Sequence, residues 1–317
     1  MDENINTDLR INPASAAKRL RRNVNIVSLF GIISILLNLG ISFIVIQLGI
    51  NKSVIGYFIS SATISFTAVL LPALALSVFC SGSNDFIADY NKKTGCADSL
   101  WLIAFGIGAC MTINTIVSVI FSFLPNFGRQ NTFRASFDDF GVFMLMLVVT
   151  AVVPAICEET AFRGFAVNVL KNSGEVYAAI ISALVFGLMH SGLSSAVFAF
   201  ISGLIFAYIR KSSGRLIVPV VVHFLNNAFA LFYGAAAGVM KPKAYTILYL
   251  FAFIAAMVIM VVSFIVLAKR KIGVFADDEP DYVCEQTEPS SGKKLLYTLS
   301  CPLFMALIVL AVVLKLM

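Results

Sequence analysis

Charge is scarce in this chain. Asp, Glu, Lys and Arg make up 13% of it and hydrophobic residues 59%, at a mean hydropathy of +0.93; a soluble domain carries roughly 25% charged residues. That deficit excludes an ordinary water-soluble globule and makes the lipid bilayer the solvent. The six cysteines are scattered without a C-x-x-C pair, which excludes a disulfide scaffold and a structural zinc site. Cys157, although beside Glu158, reads as packing, since a free cysteine behaves as a small hydrophobe. No fixed-period repeat or low-complexity tract is present, which excludes solenoid arrays. Histidine is almost absent, with His190 and His223 alone.

What the chain does have is long apolar runs. They lie near 24–48, 54–80, 99–124, 140–171, 193–210, 215–237, 245–268 and 295–316, each long enough for the ~20 residues a helix needs to cross hydrocarbon. A ninth run, 176–190, is shorter. The first is too long for a signal-peptide core and has no small-x-small cleavage site, so it reads as a retained span. The expected fold is all-α, a polytopic membrane bundle of about eight or nine helices around a polar cavity. Basic residues gather between alternate runs, at Arg10 to Arg22, Lys92 and Lys93, Lys171, Arg210 to Arg215, Lys269 to Lys271, and Lys293 and Lys294. The other connections carry few: Lys52, Arg129, Arg134, Lys241, Lys243 and Lys315. Positive residues stay on the cytoplasmic side, which puts the N-terminus inside. The net charge of +6 then reflects topology and attraction to anionic lipid, and implies no nucleic-acid partner. Four regions result: a flexible basic cytoplasmic tail (1–23), N-terminal transmembrane helices (24–139), a segment bearing intramembrane polar residues (140–237), and C-terminal transmembrane helices (238–317) with an acidic inner loop at 272–293. The loop at 125–139 joins two spans on the outer side. No motif sets an oligomeric state.

One run is anomalous. "VVPAICEETAFRGF", residues 152–165, places Glu158, Glu159 and Arg163 in lipid-soluble sequence, where each charge costs about 2.5–3.5 kcal/mol. Glu159 and Arg163 are four apart and share a helix face, the geometry of an intrahelical ion pair. Glu158 points about 140° from Arg163 and is the acid left over for proton transfer. Counted from the basic ends, Glu158 and His190 both lie roughly 20 Å deep and His223 about 12 Å, so one carboxylate and two imidazoles on successive helices meet in one cavity if a helix tilts. Asn227 follows His223 by four and shares its face. Pro154 and Pro219 each precede a polar residue by four, where an interior proline frees a carbonyl and bends the axis.

Glu158-Glu159-x-x-x-Arg163, Phe186-x-x-x-His190 and His223-x-x-x-Asn227, in that order on consecutive helices, resemble the CAAX prenyl endopeptidase and bacteriocin-processing family of intramembrane proteases, over about 140–230. The resemblance implies a helical bundle with a conical cavity open to the cytoplasm, makes 140–237 the catalytic core, and implies peptide-bond hydrolysis without a covalent intermediate. It makes Glu158 the base that activates water, with His190 holding that water, and gives His223 and Asn227 to the oxyanion; Glu159, Arg163 and Phe186 support the site. The substrate is then a peptide or lipidated peptide, such as a prenylated protein tail or a bacteriocin leader, met in the plasma membrane of a bacterium.

Three other readings compete. Glu158, His190 and His223 form a possible zinc ligand set, although the H-E-x-x-H spacing is missing; the favoured chemistry uses no cofactor. A non-proteolytic role in bacteriocin immunity or in regulating a sensor kinase needs no cleavage. A transporter or proton relay also buries acids and histidines, but the inverted repeats expected of one are not found.

Overall fold

The computed structural model describes residues 13–79, 93–124, 139–273 and 289–316. In chain order its helices are α1 (Pro13–Gln47), α2 (Val54–Val78), α3 (Cys96–Ser122), α4 (Phe140–Ser173), α5 (Glu175–Met189), α6 (Leu193–Ser213), α7 (Ile217–Val239), α8 (Pro242–Lys269), α9 (Ser291–Leu299) and α10 (Pro302–Leu316). There is no strand among the described residues. Seven helices, all but α5, α9 and α10, are individually long and apolar enough to cross a bilayer, and α9 with α10 makes up to eight. The protein is an integral, multi-pass membrane helix bundle.

Three element boundaries differ from those read off the hydropathy. Helix α1 begins at Pro13, inside the segment expected to be a flexible tail. Ala16, Leu20, Val24 and Val27 are buried and recur at helical spacing, so the basic residues among them ride on the outer face of an amphipathic turn. Residues 1–12 of the expected tail lie outside the described residues, as do most of the loops 125–139 and 272–293. The run at 176–190 does not continue through Ser191 and Gly192: α5 stops at Met189, His190 is extended, and Gly192 at φ 78° turns the chain into α6. Fifteen residues rise only about 22 Å, short of the ~30 Å hydrocarbon layer. The run at 295–316 breaks into α9 and α10 with a bend of 70°, because Pro302 has no N–H to continue a helix and opens the next one instead.

The basic connections meet at one end of the bundle. There Lys211 pairs with Glu175 at 2.5 Å and Arg270 with Asp98 at 2.6 Å. Arg215 donates to the Thr94 carbonyl and Lys294 to that of Ser173.

Of three buried apolar clusters among the described residues, two flank the polar residues of α4 and α7. One joins Leu20, Val24 and Phe30 of α1 to Phe162 and Phe165 of α4, Val185 and Phe186 of α5, and Phe304 and Leu307 of α10. The other joins Leu102 and Cys110 of α3 to Phe206 and Ile209 of α6, Val218 and Val222 of α7 and Leu267 of α8. The polar residues of α4 and α7 lie between the two.

Candidate active site

Helix α4 carries both glutamates between two widened, π-helical stretches, Val148–Val152 and Thr160–Ala166. Such stretches are rare and recur at functional sites. The first has a local cause. The ring of Pro154 collides with the carbonyl four residues back, that of Thr150, and widening moves this carbonyl aside, with the Val153 N–H reaching to Val148 O. The expected proline bend is therefore absorbed as extra girth, and α4 remains a single span from Phe140 to Ser173. Pro219 does not bend α7 either. That helix starts at Ile217, so Pro219 sits in its first turn, where a missing N–H removes no intrahelical bond.

Glu159 and Arg163 form the ion pair that their spacing predicts: Arg163 Nη1 donates to Glu159 Oε1 at 2.9 Å, with the side chains 0% and 1% exposed. Arg163 Nη2 donates to Gly203 O at 3.0 Å. A glycine suits this approach, since a Cβ at 203 would stand a tight 3.0 Å from Ala183 Cβ and 3.3 Å from Arg163 Nη2. The guanidinium also faces the rings of Phe186 at 4.8 Å and Phe206 at 5.0 Å, a favourable cation–π arrangement where water is excluded.

His223 completes this cluster. Its Nδ1 lies 2.9 Å from Glu159 Oε1; the carboxylate only accepts, so Nδ1 carries the proton and the tautomer is fixed. Its Nε2 faces Glu158 Oε2 at 3.7 Å, just beyond a hydrogen bond. Phe206 stacks on the imidazole at 5.0 Å and 21°. One histidine thus bridges two adjacent glutamates, a contact across 64 residues that spacing along the chain does not reveal.

The remaining residues are grouped less tightly. His190 Nδ1 donates to Phe186 O at 2.8 Å, leaving Nε2 as the acceptor of the neutral ring; Glu158 and His223 are both within its electrostatic reach. Phe186 stands edge-on to both imidazoles, 4.6 Å from His190 and 6.1 Å from His223. Asn226 donates from Nδ2 to Asn227 Oδ1 at 3.3 Å and leaves the Asn227 amide to act through its N–H groups. Glu158 is more open than Glu159, with its side chain 19% exposed. Along the same two helices, Val152, Ile156, Val220, Val221 and Phe224 line an apolar cleft of about 210 Å³. Among the described residues no three His, Cys, Asp or Glu side chains group as metal ligands. Phe206 is the site residue that sequence reasoning missed, having no motif and only an apolar neighbourhood to mark it.

Residues 140–229 match the family described as Rce1-like, type II CAAX prenyl endopeptidase Rce1-like. Every polar residue of the site described above lies in that stretch. The likeness to the Rce1-like family is carried by this segment of the chain. The chain is also similar to the protein named "Putative membrane peptidase YdiL" of Bacillus subtilis (strain 168), at 27% identity over 173 residues, or 54% of this chain and 69% of that one. No solved structure matches.

Proposed function

We propose that the chain is an intramembrane endopeptidase that hydrolyses a peptide bond of a membrane-associated peptide, prenylated or of bacteriocin type, with water activated by Glu158. The observation that carries this reading is the pairing of a more open carboxylate, Glu158, with a histidine nitrogen 3.7 Å away whose other nitrogen is locked to a second glutamate. The family of residues 140–229 supports it. The apolar cleft beside the two helices suits a substrate that arrives within the membrane.

In this mechanism Glu158 and His190 Nε2 accept the two hydrogens of one water molecule. Glu158 takes a proton as the water oxygen bonds to the scissile carbonyl carbon, and the carbonyl electrons move onto oxygen. Asn227 Nδ2 and His223, the latter through Nε2 when doubly protonated, donate to that oxyanion; donors placed in advance in a water-poor site are worth several kcal/mol. The proton on Glu158 then passes to the departing nitrogen as the C–N bond breaks. The chemistry is proposed to need no metal. We place the protein in a bacterial plasma membrane with its N-terminus cytoplasmic, as the single basic end of the bundle favours.

The test compares membrane proteomes of cells carrying the wild type and Glu158→Ala. A peptide or protein that accumulates uncleaved in the mutant, while the mutant itself inserts and accumulates normally, is the expected result. Unchanged biological function in Glu158→Ala would instead put a non-proteolytic immunity or sensor-regulating role first. Cleavage by purified protein should survive exhaustive chelation, whereas recovery only on adding zinc would overturn the metal-free step.

A further inference from the structure

Helix α5 ends inside the bundle, so the carbonyls of its last turn need donors that lipid does not supply. His190 provides two of them. Its backbone N–H donates to Gly187 O at 3.2 Å and its ring Nδ1 to Phe186 O at 2.8 Å. The next carbonyl, that of Leu188, is met from a distant part of the chain: Lys315 Nζ donates to it at 2.8 Å and also lies 3.5 Å from Ala311 O on its own helix.

Lys315 sits in the last turn of α10, outside the stretch that carries the family match. Helix α10 is held against α5 by a dry seam in which Leu307 of α10 and Val185 of α5 both stand 3.0 Å from the point where a Cβ on Gly31 of α1 would lie. Phe304, Leu307 and Ala311 share one buried cluster with Val185 and Phe186. A lysine near a membrane helix end ordinarily snorkels to the headgroups. Here the ammonium is turned inward to the C-terminal carbonyls of another helix, the end whose partial negative charge favours a cation.

We infer that Lys315 is a positioning residue for His190: by capping Leu188 O it fixes the end of α5, and so the turn that carries the His190 ring. The proposal rests on the proteolytic reading for its kinetic consequence, but the contact itself is open to a separate measurement. The chain has two histidines, so protein labelled with ¹⁵N-histidine and reconstituted in lipid nanodiscs gives two sets of ring signals, assigned with His190→Ala and His223→Ala. In Lys315→Met the His190 signals are expected to move well beyond their line width while those of His223 stay in place, and Lys315→Arg, which restores a cationic donor, should return them. On a cleaved substrate, Lys315→Met should lower kcat about tenfold with KM held within about twofold.

Unmoved His190 signals in Lys315→Met, or an unchanged kcat, would overturn the proposal. So would a Lys315→Met protein that fails to accumulate where Lys315→Arg does, since that marks a role in assembling the bundle. Glu158→Gln separates the two claims. If it cleaves as fast as the wild type, the assignment of Glu158 as the base falls, while the histidine spectra still decide whether Lys315 sets the His190 ring.

Discussion

The two adjacent glutamates live in different surroundings. Glu159 is 0% exposed and bonded through one oxygen to both Arg163 and His223, and Arg163 is fixed further by a backbone carbonyl and faced by three aromatic rings. Glu158 is 19% exposed and faces its imidazole across 3.7 Å. A carboxylate held by a guanidinium and an imidazole has no geometric freedom left and serves as scaffold, whereas one that stands just outside hydrogen-bond reach, with some access from outside, can take a proton and give it back. The comparison teaches how the proposed mechanism can give two adjacent acids opposite duties: the strong donors go to only one of them, and the other keeps some access from outside.

The sharpest way to break this comparison is to neutralise each acid in turn. Glu158→Gln keeps shape and removes the base, so kcat should fall about 10²- to 10⁴-fold with no change in accumulation or thermal unfolding. If Glu158→Gln unfolds the protein and Glu159→Gln is silent, the duties have been assigned the wrong way round. Arg163→Leu attacks the scaffold side. It leaves Glu159 buried without its cation, a change that destabilises by about 3–5 kcal/mol, visible as lost accumulation and a lower unfolding temperature in detergent. Arg163→Lys should rescue little, because an ammonium does not present the two-pronged fork that reaches Glu159 and Gly203 O together. Gly203→Ala is milder. Its methyl group meets Ala183 at 3.0 Å and Arg163 at 3.3 Å, so α6 must shift, at about 1–3 kcal/mol, and activity should decline in parallel with stability.

The spacing rules that read this site fix partners within one helix and leave the exact partners between helices open. The Glu159–Arg163 pair was legible because four residues make nearly one turn and no other helix is needed to place it. The bridge from Glu159 to His223 was not, since its register depends on how α4 and α7 pack, and the widened turns of α4 shift the phase of every residue after them. The prolines misled for the same kind of reason. Pro219 reads as interior from sequence, but the helix start at Ile217 follows from Ser212-Ser213-Gly214, where Gly214 at φ 68° ends α6, and that boundary outweighs the apolar run around it. The start of α1 was hidden by charge: four basic residues between Lys18 and Arg22 mask the apolar stripe that buries Leu20 and Val24.

The smallest effect should come from Asn226, beside the proposed oxyanion donor Asn227. Its amide donates to Asn227 Oδ1 at 3.3 Å, a long bond between neighbours that adds little to stability, so Asn226→Ala should stay within about 0.5 kcal/mol of the wild type in unfolding. What it should disturb is direction. With Oδ1 released, the Asn227 side chain can rotate its carbonyl into the place where its N–H groups point, and an acceptor aimed at a developing oxyanion repels it. The expected result is a drop in kcat of about threefold to tenfold with KM unchanged, below the loss caused by Asn227→Ala, which removes the donor outright. Were Asn226→Ala to equal Asn227→Ala, the pair would act as one unit; were it to raise KM alone, the amides would be gripping the substrate in its ground state, since an interaction made only in the transition state lowers kcat and leaves KM alone.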